Sequence, residues 1–354
     1  MEKRAELERN VLLPGQRSVT LPLARDFCRF FCIAILIFSA AGCRGQAKVA
    51  PALTLSPSPY LRVLGHREYE VHQRLTLVNE GPGQPEKQNL WVALIQSVPP
   101  YQEVLSTEIA PTNFKLVTDE YGNRYAEFDF SEHPAGETRI VEIDYRLEVN
   151  ELAYDLSVCE GEMPEEFILP ELHIESANPQ IMALAGELSQ GKNTACQQVR
   201  AFYDYIGNEL VYTYNGENWG AQAALGPMGA DCTEYASLLV ALSRAEGIPA
   251  RYFEGLLYLK AETKSLARME HAWVDVSMPG IGWVSLDPTL GRSSIDRETY
   301  FAHHTPEHII VTIGANPSVL RGSSYWTHLY WPGDSTRIRV ESGRWEIKPV
   351  FRQP

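Results

Sequence analysis

The stretch Gly229–Gly247, GADCTEYASLLVALSRAEG, reads as a helix that begins on a cysteine. Asp231 is placed to cap the amino end and Glu234 to reach back to it, a capping box with aspartate in the usual Ser/Thr position. Tyr235, Leu238, Leu239, Leu242 and Ala245 recur at helical spacing and predict one buried face. Gly247 and Pro249 stop the helix. Cys232 then falls in the first turn, where unpaired backbone N–H groups and the helix dipole favour negative charge. Helix starts of this kind can bring a thiol from a pKa of about 8.5 into a range of roughly 3.5–7.5. Cys232 is therefore a candidate nucleophile.

A nucleophile of this kind needs a base, and two downstream strands offer one. His271-Ala272-Trp273-Val274-Asp275-Val276 alternates, as does Gly282-Trp283-Val284-Ser285-Leu286-Asp287. With Met278-Pro279-Gly280 as a three-residue hairpin loop, folding about Pro279 pairs Asp275 with Trp283, Trp273 with Ser285 and His271 with Asp287. Directly opposed residues bring their Cβ atoms to about 4.5–5.5 Å, close enough for a carboxylate to hold an imidazole. A slip of one residue would turn the two faces over.

Composition bounds the rest. A chain of 354 residues with 44% hydrophobic and 21% charged residues is globular and long enough for two ordinary domains. A net charge of −14, with no basic run after residue 50, argues against a nucleic-acid partner. Near the amino end, Arg25 and Arg29 precede the apolar run Phe30–Phe38, which is shorter than the roughly 20 residues a spanning helix needs. The run ends in Ser39-Ala40-Ala41-Gly42-Cys43. Small residues followed by a cysteine resemble a bacterial lipoprotein signal. That resemblance implies removal of residues 1–42, lipidation of Cys43 and an extracytoplasmic, membrane-anchored protein; a secretory signal or a short uncleaved anchor is the alternative. An oxidising compartment permits a Cys159–Cys196 disulfide, while Cys196, three residues before Val199 on an apolar helix face, equally suits a buried free thiol.

Residues 43–59 are rich in Pro, Ser and Ala and read as a tether. Residues 60–155 show period two, with Tyr69, Val71, Leu75 and Leu77, and later Val141, Ile143, Tyr145, Leu147 and Val149, alternating with polar neighbours. Asp119 to Asn123 marks a turn between Phe114, Leu116 and Ala126, Phe128, Phe130. This predicts an all-β sandwich without a chemical constellation, a spacer or binding module. Residues 170–295 form the core with the candidate chemistry. Helices are expected from Pro179 and, through a Thr194/Gln197 capping box, from Thr194. Lys260–Glu270 reads as a polar loop near the site, an ordinary connection or a lid. Residues 296–354 are expected to add carboxy-terminal strands that complete that core. His303, His304 and His308 lack a clear ligand spacing and read as solvated loop histidines, so no metal and no cofactor is expected. Tyr325, Trp326, Tyr330 and Trp331 read as packing at the end of a small sheet.

The order Cys, His, Asp with these flanks resembles the transglutaminase-like superfamily. The residues that carry the resemblance are Asp231-Cys232-Thr233-Glu234-Tyr235-Ala236, Gly247-Ile248-Pro249-Ala250-Arg251, His271-Ala272-Trp273-Val274 and Gly282-Trp283-Val284-Ser285-Leu286-Asp287-Pro288-Thr289. The resemblance is specific from about Leu210 to Gly291. It implies an α+β fold, a papain-like core of helices and antiparallel sheet, here preceded by a β-sandwich. It implies Cys232 as nucleophile, His271 as base and acid, and Asp287 as the orienting carboxylate. The backbone N–H of Cys232 offers one donor to an oxyanion, and Trp219, Asn218 or Tyr214 is a candidate for the second. The implied activity is cleavage of a peptide or isopeptide-type amide in a protein or peptide substrate through a thioester. Amine transfer to a protein glutamine and a non-catalytic adhesion or assembly module are the alternatives.

Overall fold

The computed structural model describes residues 58–214, 219–258, 270–333 and 336–351, all within one compact unit spanning 55–354. The expected signal segment, most of the tether, the lipidation residue Cys43, the oxyanion candidate Asn218 and nearly all of the 260–270 loop lie outside the described residues. Among the described residues, no helix is long and apolar enough to cross a membrane.

Period-two sequence makes long strands. β1 (Leu61–Asn79) pairs antiparallel with β6 (Thr138–Tyr154) along nearly its whole length. β3 (Gln102–Ala110) also pairs with β6. The second layer is built on β2 (Lys87–Leu94), β5 (Arg124–Asp129) and β4 (Lys115–Thr118), in that order. Between β4 and β5, the Asp119 carboxylate accepts from the backbone N–H groups of Tyr121 and Asn123. The alternating residues Tyr69, Val71, Leu75, Leu77, Val141, Ile143, Tyr145, Leu147 and Val149 are buried against Leu90, Val92, Ala126 and Phe128 of the other layer. At about 25 cal/mol per Å² of apolar surface, this shared face is the main stabilising term of the sandwich.

The helices follow. α1 (Pro179–Ser189) starts on an Asn178 cap with proline in its first turn, and α2 (Ala195–Glu209) on Thr194, whose hydroxyl accepts from Gln197 N–H. The Gln197 side chain reaches Asn193 N–H instead of Thr194, so this cap is not the reciprocal box expected. Cys159 and Cys196 are joined as a disulfide that ties the start of α2 to the strand-following segment. After the short α3 (Ala221–Ala224) comes α4 (Cys232–Ala245), with its capping box complete: Asp231 accepts from Thr233 N–H and Glu234 from Asp231 N–H. At its other end Gly247, at φ +73°, donates to Arg244 O while Ile248 N–H donates to Ser243 O, a Schellman closure that needs a left-handed residue. The helix does not have one buried face, as expected; Glu234 through Arg244 are all buried. Two of its buried polar residues are bonded, Ser243 donating to Leu239 O and Arg244 to Ala250 O, Leu169 O and Glu171, while the Ser237 hydroxyl is buried without a hydrogen-bond partner among the described residues.

α4 lies on a third sheet of order β11 (His308–Ile313), β7 (Ala250–Leu257), β8 (Glu270–Met278), β9 (Gly282–Leu286). Ala250, Tyr252, Val274, Val276, Val284 and Leu286 pack with the helices, while Phe253, Trp273 and Ile310 pack with Tyr101 and Leu152 of the sandwich. The sheet is thus covered on both faces. Tyr101 donates to the buried Asp275, which also receives Arg251.

The carboxy-terminal strands depart from expectation. Only β11 joins the helix-bearing sheet. β10 (His303–His304) pairs with β6, β12 (Trp326–Trp331) with β2, and β13 (Ile338–Val350) with β1. Residues 296–354 therefore largely complete the sandwich. The reason is the open edge: β1 and β2 each have a free row of backbone groups to be paired, and Tyr325, Ile338 and Trp345 carry apolar area into the sandwich core.

Candidate active site

Cys232, half-buried, opens α4 at the floor of a cleft of about 740 Å³. The helix start is held there by the capping box. Glu234, part of that box, has its pKa pushed up to about 8, chiefly by burial and then by the neighbouring Asp231 charge.

His271 is the second residue of β8 and Asp287 follows the end of β9; both are buried. His271 Nε2 and Asp287 Oδ2 are 2.7 Å apart. The other ring nitrogen, Nδ1, is not engaged by Asp287, and Cys232 stands with His271 in the lining of the same cleft, near enough to act on its charge. The structure thus brings Cys232, His271 and Asp287 together, but through a different register. Asp275 faces Ser285 rather than Trp283, which is taken up by Ser277. The loop is Pro279-Gly280-Ile281, one residue later than expected: Ile281 N–H donates to Met278 O, and Gly280 takes φ +74°, as the turn requires. The resulting two-residue shift is even, so the faces are kept and His271 reaches Asp287 diagonally rather than straight across.

Electrostatics follow from this packing. Burial alone would lower the pKa of His271, but the Asp287 charge and hydrogen bond, followed by the nearby Cys232, raise it to about 10. Burial alone would raise Asp287, but His271 and then His308 hold it well below the usual carboxylate range. Asp287 accepts four bonds: Oδ1 takes the N–H groups of Thr289 and Leu290, and Oδ2 takes His271 and His308 Nε2 at 2.7 and 3.0 Å. Its backbone carbonyl accepts from Tyr203 Oη at 3.0 Å.

His308 was missed by sequence reasoning. It and His304 are buried strand residues, not solvated ones. The overlooked signal was its place at the head of the apolar run Ile309–Ile313, where a histidine is buried with the strand.

Tyr214 and Trp219 line the cleft as exposed aromatics, with the Trp219 ring edge-on to His173. Tyr325, read as mere packing, also lines it, with its hydroxyl donating to Gly255 O. Trp326, Tyr330 and Trp331 belong to β12 in the sandwich.

His271, Asp287 and His308 are the one group among the described residues whose ligand atoms cluster closely enough, within 4.8 Å, to suggest a metal. A tetrahedral zinc with bonds of about 2.0–2.1 Å would hold its ligand atoms roughly 3.3 Å apart. The 2.7 and 3.0 Å separations are hydrogen-bond distances, and each side chain is already engaged.

A helix amino terminus presenting a thiol to a histidine and aspartate on an antiparallel sheet is the layout of the papain-like α+β class. Residues 182–288 match the family model described as the transglutaminase-like superfamily. The chain is 29% identical over 148 residues to the uncharacterized protein YebA of Bacillus subtilis, covering 36% of this chain and 20% of that one. It is 32% identical over 124 residues to a protein-glutamine gamma-glutamyltransferase of Pseudomonas aeruginosa, covering 32% of this chain and 18% of that one. The chain thus spans about a fifth of the length of these curated relatives. In fold it is similar to the crystal structure of a candidate cysteine protease from Cytophaga hutchinsonii, with TM-score 0.61 and 15% identity over 83% of this chain and 94% of that one.

Proposed function

We propose that this chain is a cysteine enzyme that cleaves peptide or isopeptide-type amide bonds through a thioester. The observation that carries the reading is His271, which lies 2.7 Å from Asp287 and lines the same cleft as Cys232. In the reaction the Cys232 sulfur, its proton taken by His271, attacks the amide carbon. The oxyanion that forms is met by the N–H of Cys232, which as a first-turn group has no intrahelical partner. The second donor comes from the Trp219 indole or the Tyr214 hydroxyl, both in the cleft wall, or from Asn218. The C–N bond then breaks, His271 returns the proton to the leaving amine, and a thioester remains. Water, deprotonated by His271, attacks that thioester and frees the acid and the thiol. Asp287 orients the ring and stabilises its charged form. Asp231, Glu254, Glu270 and Arg292 stand in the cleft wall among apolar and aromatic neighbours and are compatible with entry of the water that hydrolysis requires.

Amine transfer is the second reading, supported by the 32% identity to a protein-glutamine gamma-glutamyltransferase over 124 residues. In that case a primary amine replaces water at the thioester. Mass spectrometry of a peptide library incubated with the protein and an amine donor separates the two: cleavage or deamidation marks hydrolysis, and donor addition marks transfer. No product from wild type, or equal product from Cys232→Ala, overturns the enzyme reading in favour of an adhesion or assembly role.

The proposed location is outside the cytoplasm. The Cys159–Cys196 disulfide supports an oxidising compartment, and the residues before Cys43 support lipid anchoring. Lipid-precursor labelling that survives Cys43→Ser removes the anchor from this proposal.

A further inference from the structure

The sandwich has so far no part in the chemistry, yet it grips the segment that carries His308 to Asp287. His304 pairs with Leu152 of β6, and His303 Nε2 lies 3.1 Å from Glu151. Tyr69 on β1 donates its hydroxyl to Pro306 O at 2.9 Å. Arg67, two residues earlier, pairs with Glu307 at 2.5 Å. Four successive positions before His308 are thus tied to β1 and β6 or, at Thr305, to His308 itself: Thr305 Oγ1 and His308 Nδ1 are 2.8 Å apart. The His308 ring is boxed in by Trp273, His304 and Tyr300, and its Nε2 points at Asp287 Oδ2, 3.0 Å away.

We infer that His308 is a positioning residue for the Asp287–His271 pair, and that β1 and β6 of the sandwich set its place. The inference rests on the proposed cysteine chemistry for its consequence, though not for its geometry. A carboxylate bound on Oδ1 by two amides and on Oδ2 by His271 alone keeps freedom to tilt about its Cβ–Cγ bond. A second donor on Oδ2 fills the remaining lone pair and fixes the plane in which His271 is held. Groups of this supporting kind matter because a misplacement of about 1 Å in a reacting group can cost on the order of 100-fold in rate. The titratable groups facing Asp287 are His271 from β8, His308 from β11, Tyr203 from α2 and Tyr300 from the turn after β9, with Cys232 beyond His271. His308 differs from the two tyrosines in bonding the carboxylate oxygen that His271 uses. The sandwich becomes, on this view, a brace for the site and not a spacer.

The test uses the full chain and two readouts, the pH profile of Cys232 alkylation by iodoacetamide and the titration of the His271 imidazole by NMR. The variants are His308→Leu, His308→Gln and Tyr69→Phe, each checked for a cooperative melt. Wild type is expected to alkylate quickly at neutral pH. His308→Leu is expected to slow this by about 10–100-fold, to change the pH profile of labelling, and to lower the midpoint of the His271 titration. His308→Gln, which keeps a donor, is expected to restore most of the rate, and Tyr69→Phe to shift the profile in the same direction by less. A folded His308→Leu with an unchanged profile overturns the inference; if that variant does not fold, unchanged profiles in both His308→Gln and Tyr69→Phe overturn it. Should wild-type Cys232 label no faster than a free thiol, the enzyme reading fails separately, and the His271 titration still decides the brace. An identical His271 midpoint in wild type and the His308 and Tyr69 variants then overturns it.

Discussion

His271 Nε2 lies 2.7 Å from Asp287 Oδ2 in surroundings that leave their side chains only 7% and 3% exposed. With so little water to screen it, this contact governs the ionisation of both groups and much of what the site can do.

The first consequence concerns pH. The folded-state pKa of His271, about 10, lies above its unfolded value of about 6.5. Its contribution to stability is therefore fully present below about pH 6.5 and is lost as pH rises toward 10. Asp287 works in the other sense: its folded pKa is depressed, so its contribution is present above about pH 3.9 and is lost as pH falls through the lower folded value. Denaturant unfolding of wild type and Asp287→Asn across this range checks both signs. The stability gap between them should narrow at each end, and a gap independent of pH would show that the two groups do not form an ion pair.

Replacing Asp287 by Asn should leave the fold in place but lower turnover by on the order of 10²–10⁴-fold, the range for losing the group that orients a catalytic imidazole. The amide presents one oxygen and one NH₂ where two oxygens now accept four donors. Single-turnover measurement of thioester formation is the direct check. Formation at the wild-type rate would remove Asp287 from the mechanism.

Gly255 on β7 marks a close approach of backbone. A Cβ there would come 2.1 Å from Ile309 O on β11 and 2.4 Å from the Trp273 ring. Because the first obstacle is backbone and the second is a packed indole, Gly255→Ala should cost about 1–3 kcal/mol or more by forced overpacking. Urea titration measures this. A change within error would mean that β7 and β11 separate more easily than their pairing implies.

The Cys159–Cys196 bond closes a loop of 37 residues at the start of α2. Its removal in a Cys159→Ser, Cys196→Ser double variant should lower stability by about 2–4 kcal/mol through the freer unfolded chain. The pH profile of Cys232 alkylation should not move, since neither residue touches the His271–Asp287 pair. A shift in that profile would mean that α2 transmits strain to the site through Tyr203.

Local features were legible in the sequence because local rules produce them. The capping box of Asp231 and Glu234 depends on residues three apart, and the Gly247 stop on a single φ. The alternation of Tyr69 to Leu77 and of Val141 to Val149 declared the sandwich faces because strand side chains repeat every two residues. The hairpin was read with the right faces and the wrong partners. Alternation records only parity, while the register depends on which residue the turn places at positive φ, here Gly280.

What the sequence by itself determined, then, was the capped helix with Cys232 at its start and the strand pair bearing His271 and Asp287 on one side. Tertiary structure alone decided that β12 and β13 return to β2 and β1, and that His308 arrives behind Asp287 with its segment held by Tyr69 and Arg67. The contacts of Arg67 and Tyr69 join residues 240 and 237 positions apart in the chain. No periodicity or motif encodes such partners; they are selected by which open edges and buried carboxylate oxygens remain to be satisfied once the local elements have packed.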